Sequence, residues 1–75
     1  MNIVDVLFHV HPDLSEDERM QIEETISADN GVMTVNFNSY NSHELTVSYD
    51  PDAIKAEAIL EQIREWDKNA TMAGL

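Results

Sequence analysis

Polar and apolar positions alternate from residue 3 to residue 11. Val4, Val6, Phe8 and Val10 fall on one side; Asp5, Leu7, His9 and His11 fall on the other. A period of two with β-branched and aromatic content predicts a strand over Ile3 to His11 with one buried face. Pro12, Asp13 and Leu14 break it. A helix follows, with Met20, Ile22 and Ile26 as its apolar face, and it ends near Ala28 ahead of the stop signal Asp29-Asn30-Gly31. Val32 to Asn38 reads as a second strand with Val35 and Phe37 inward, and Ser39 to Ser42 as a turn. Leu45, Val47 and Tyr49 then alternate with Glu44, Thr46 and Ser48, which predicts a third strand and an antiparallel hairpin. Beyond Asp50-Pro51-Asp52, the residues Ala56, Ile59, Leu60, Ile63 and Trp66 recur at helical spacing, with Trp66 a core residue at the helix end. Ala70 to Leu75 fits a final edge strand.

The element order is therefore βαββαβ. This predicts an α+β, ferredoxin-like sandwich: a four-stranded antiparallel sheet with two helices on one face. With 75 residues the chain holds one domain, residues 1–75, and a chain so short buries only about 60 to 65% of its unfolded surface. The first helix carries its own start signal. Ser15 can accept from the free amides of the first turn and Glu18 can reach back to the Ser15 amide, a capping box. Glu16, Asp17 and Glu18 in that turn also favour the positive end of the helix dipole.

Charge and composition narrow the function. Fifteen acidic and four basic residues give a formal charge of −11. A surface of this sign repels nucleic acid and anionic membranes and suits a protein partner with a basic patch. No cysteine is present, which excludes disulfides, thiolate metal sites and a cysteine nucleophile and favours the cytoplasm. No apolar run approaches the roughly 20 residues of a membrane helix, and no basic-then-apolar leader opens the chain. Nucleophile motifs and phosphate-binding glycine loops are missing, and a domain of this size rarely encloses a substrate cleft, so the expectation is a protein that is not an enzyme.

Ile22-Glu23, Gly31-Val32, Val35, Phe37-Asn38, Val47 and Tyr49-Asp50-Pro51 stand at the spacing of a known pattern. The chain resembles the heavy-metal-associated family of copper chaperones, mercury-binding proteins and the N-terminal modules of metal-pumping ATPases. The resemblance covers nearly the whole chain. In its register the two cysteines of the family's C-x-x-C loop fall on Ser15 and Glu18, its Gly-Met on Pro12-Asp13, and its Gly-Tyr or Gly-Lys on Asp67-Lys68. It implies the ferredoxin-like scaffold and a docking face formed by the metal loop and first helix, here His11 through about Glu24. It does not bring copper chaperone activity, because a hydroxyl and a carboxylate do not replace two thiolates around soft Cu(I).

Other donors remain. His9 and His11 share a strand face, and Asp13 in the loop adds an oxygen. Imidazole with carboxylate suits Zn(II), Ni(II) or Cu(II). Asp13, Glu16, Asp17 and Glu18 follow no calcium-loop spacing and read as a charged helix start. Met20, Met33 and Met72 read as packing residues, His43 as a strand-end residue, and Lys68 as a solvated lysine.

The expected function is a small soluble binding module without a thiolate site, an adaptor in a metal-handling or related pathway. It docks a basic protein partner through Asp13, Glu16, Asp17 and Met20, as a monomer or weak homodimer. The open sheet face with Leu7, His9, Thr34, Asn36, Thr46 and Ser48 is a second candidate contact surface. The alternative function is a carrier or sensor of Zn(II), Ni(II) or Cu(II) that uses His9, His11 and Asp13.

Overall fold

The computed structural model describes residues 2–11 and 13–73. The elements run β1 (Val4–His9), α1 (Glu16–Ser27), β2 (Val32–Phe37), β3 (Glu44–Tyr49), α2 (Ala56–Ile63) and β4 (Thr71–Met72). The strands form one sheet in the order β2-β3-β1-β4, with every neighbouring pair antiparallel. This is the ferredoxin-like arrangement expected from the element order.

Alternation in β1 and β3 delivers the sheet's half of the core. Val6, Phe8, Val10, Leu45, Val47 and Tyr49 are buried, and the helices return Ile22, Ile26, Ile59, Leu60 and Ile63. Phe8, Leu45, Ile22, Ile26, Ile59 and Ile63 are fully enclosed, sites where truncation to alanine typically costs about 2 to 5 kcal/mol. Val32, Phe37, Ile54 and Trp66 pack half-buried against this cluster.

Four expectations need correction. The first strand is shorter than Ile3 to His11: beyond His9 only the Val10 amide still pairs, with the His43 carbonyl, while the His11 amide turns to a side chain of another loop. Val4, the first residue of the strand, has inward parity but is 38% exposed. Met20 is not part of the apolar face of α1; it is 54% exposed, and Ile22 and Ile26 alone bury that helix. The last strand is only Thr71–Met72, with the Ala73 amide adding one further bond to the Leu7 carbonyl; Gly74 and Leu75 lie outside the described residues.

In β2 the register against β3 slips by one residue between Val32 and Thr34. The extra residue is Met33, and the bulge turns both Met33 and Thr34 outward while Val35 stays in the core. Gly31, just before β2, has a φ of 97°. Its carbonyl accepts from the Asp50 amide at 2.8 Å, and a Cβ there would stand 2.6 Å from the Ala53 Cβ. Glycine is needed both for the backbone angle and for this close approach.

Candidate functional site

The segment between β1 and α1 is built around Leu14, which is buried although it lies outside either periodic element. It occupies the position before the helix cap, where an apolar residue commonly fixes the entry angle of the chain. Its carbonyl accepts from the Arg19 guanidinium. Ser15 then caps α1. The Ser15 hydroxyl accepts from the Glu18 amide at 3.1 Å, and the Glu18 carboxylate accepts from the Ser15 amide at 2.9 Å. The capping box is complete. The Ser15 amide, and secondarily its hydroxyl, hold the Glu18 carboxyl below the usual carboxylate range. The two positions that carry cysteines in the resembling family thus spend their polar atoms on each other and on the helix end.

A second tie reaches this segment from the far side. One oxygen of Asp67, in the α2–β4 loop, accepts from the His11 amide at 2.8 Å, and the other accepts from the Asn69 amide at 3.0 Å. The neighbouring Lys68 is exposed. His11 and Asp13 are brought together: the Asp13 amide donates to His11 Nδ1 at 3.0 Å, and an Asp13 carboxylate oxygen lies 3.8 Å from the same nitrogen. His9 does not join them. Its Nε2 lies 3.8 Å from a Glu44 oxygen, and its ring meets His43 edge-on with 6.0 Å between centroids. Among the described residues no group of three or more His, Cys, Asp or Glu side chains converges so as to hold a metal ion.

On the outer side of α1, Met20 stands exposed among carboxylates. Glu16, Met20, Glu23 and Glu24 follow the three- and four-residue spacing that places residues on one helix face. Asp13, Glu16 and Asp17 are exposed beside them. The opposite, helix-free face of the sheet is polar: Asp5 accepts from the Ser48 hydroxyl, and Thr34, Asn36 and Thr46 lie in the adjoining rows. The hairpin tip carries Tyr40, which is 98% exposed, on a turn held by Asn38, whose side chain accepts from the Tyr40 amide at 2.8 Å.

Leu14, Tyr40 and Asp67 are the residues that sequence reasoning missed here. The capping box directly after Leu14 was the available signal for the first. The other two depend on contacts between loops and leave no local trace.

The model of the heavy-metal-associated domain matches residues 14–68, and the chain belongs to that family. Its fold is similar to the crystal structure of oxidized MerP from Ralstonia metallidurans CH34, with a TM-score of 0.74 and 14% identity over 97% of each chain. It is also similar to a copper binding domain from HMA7, a P-type ATPase, with a TM-score of 0.72 and 21% identity over 95% of this chain and 92% of that one. At these identities the likeness is one of fold. No curated protein matches the chain. Among the described residues no helix is long and apolar enough to cross a membrane.

Proposed function

We propose that this domain is a protein-docking adaptor of a metal-handling or related pathway, acting by binding and not by catalysis. The observation that carries the reading is Met20, 54% exposed on α1 and ringed by Glu16, Asp17, Glu23 and Glu24. An apolar anchor inside a charged rim is the anatomy of a contact surface. Its partner is a protein that offers an apolar pocket bordered by lysine or arginine. The charge of −11 speeds such an encounter and opposes self-association, so the domain works as a monomer. The same absence of cysteine that removes thiolate copper chemistry suits the cytoplasm.

The alternative in which His9, His11 and Asp13 carry a divalent metal has less support. His11 Nδ1 already accepts from the Asp13 amide, and His9 faces away to Glu44 and His43.

A photo-crosslinking residue at position 20 tests the docking reading in living cells, with position 57 on α2 as the control site. The expected result is a discrete crosslink from position 20 that is lost when Glu16 and Asp17 are both changed to lysine. Crosslinking from position 57 but not from position 20 would refute it.

A further inference from the structure

The sheet has an open edge that docking through Met20 leaves unused. β2 pairs only with β3, whereas the opposite edge ends in the two-residue β4. The Asn38 amide donates to the Glu44 carbonyl at 2.9 Å, and the Asp50 amide donates to the Gly31 carbonyl at 2.8 Å. Hydrogen-bonded pairs alternate along an antiparallel ladder. Asn36 and Thr34, opposite Thr46 and Ser48, therefore bond to β3, while Val35 and Phe37 turn their N–H and C=O groups to the open edge. Among the described residues neither of these two amides finds an acceptor elsewhere. Natural edges are blunted by lysine, proline, bulges or shortness. Here none of the chain's 15 acidic and 4 basic residues, and no proline, falls between Gly31 and His43. The bulge at Met33 lies before the free groups begin.

We infer that β2 is the receiving edge for an extended segment of another protein, which pairs antiparallel with Val35 and Phe37 and carries lysine or arginine at alternate positions. The free backbone groups select the form of the occupant, because an added strand satisfies a row of donors and acceptors. Its charge is selected by α1, which lies over β2. Gln21 accepts from the Trp66 indole N–H at 3.2 Å, so that side of α1 faces the end of α2. Residues two apart are about 200° apart around a helix axis, which puts Glu23 on the opposite side, above the free edge. Glu16, seven residues earlier, shares that side, and neither carboxylate has an ion-pair partner among the described residues. The helix-facing side chains of an added strand run beneath these carboxylates. A lysine there lays its stem along the half-buried Phe37 and brings its ammonium group to the acidic rim. On the other face the strand meets Thr34 and Asn36, both uncharged and exposed. A second copy of this chain is the poorer occupant, because it sets its own Glu16 and Glu23 against these and adds another charge of −11.

The test is titration of the full chain with a short synthetic peptide of alternating lysine and threonine, followed by NMR of the backbone amides. Saturable binding is expected to shift the Val35 and Phe37 amides and to slow their hydrogen exchange. In an antiparallel pairing the lysine amides face β2, so a peptide N-methylated at its lysines is expected to bind about 10-fold more weakly. The peptide N-methylated at its threonines is expected to bind as the parent does. Glu16→Gln with Glu23→Gln is expected to weaken binding about 5-fold, and Glu57→Gln on α2 to leave it unchanged. Equal binding of the two methylated peptides overturns the assignment, since charge alone would then hold them. So do shifts confined to α1, or no shift at any amide of β2. The contact does not use Met20, so this titration and the crosslink at position 20 succeed or fail separately.

Discussion

The carboxylate of Asp67 accepts the backbone N–H of His11 at 2.8 Å, across 56 residues of chain, and the same group accepts the Asn69 amide at 3.0 Å. One side chain thereby closes its own turn and fastens the exit of β1 to the loop that follows α2. A charge-assisted hydrogen bond of this kind is worth about 1.5 to 3 kcal/mol, less where water competes. Asp67→Ala is expected to cost about 1 to 2 kcal/mol in denaturant unfolding and to speed hydrogen exchange at His11. Unchanged exchange at His11 would show that another group holds the loop.

The capping box supplies a second prediction. Ser15→Ala is expected to cost about 0.5 to 2 kcal/mol, as deletions of N-caps do. Its pH dependence has a definite sign. The folded carboxyl of Glu18 titrates below its ordinary value, so its contribution is complete above the unfolded value of about 4.3 and disappears as the pH falls through the lower folded value. Glu18→Gln is expected to flatten that acid limb of the stability profile, measured by urea midpoints between neutral pH and pH 3.

Gly31→Ala is expected to be among the most damaging small substitutions. It places a Cβ on a backbone at φ 97°, a cost of about 1 to 3 kcal/mol, and sets it 2.6 Å from the Ala53 Cβ. Adding Ala53→Gly should recover the contact part of the loss but not the backbone part. Thermal unfolding of the two single variants and the double variant separates them; full recovery would contradict the strain assigned to the backbone.

The register of the family places its cysteines on Ser15 and Glu18. Ser15→Cys with Glu18→Cys is therefore expected to create Cu(I) affinity, read by competition with a coloured Cu(I) chelator. The metal-free variant is expected to be less stable by about 0.5 to 2 kcal/mol, since the cap is lost. A double variant that leaves the chelator's colour unchanged would refute this register.

How far the chain could be read depended on whether the physics was local. The alternation of Val6, Phe8 and Val10, and of Leu45, Val47 and Tyr49, gave away two buried strand faces. Ser15 and Glu18 announced the helix start, because cap and partner lie within one turn. Met20 is as apolar as Ile22 and Ile26 and follows the same helical spacing, but the covered stripe of α1 is narrow enough to leave it in solvent. Leu14 lay in a loop, where no period applies. The bond from the His11 amide to Asp67, and the meeting of His9 with Glu44 and His43, arise only once strands and loops are stacked end to end. Fold was therefore more legible than function.

The closed capping box also has a consequence for timing. A loop that depends on a captured ion exists in two forms, and whatever reads it receives a report on supply. Here Ser15 and Glu18 close the start of α1 from within the chain, with no ion in the arrangement. A partner reading this edge would count copies of the protein, and the signal would be set by synthesis and turnover instead of by cargo.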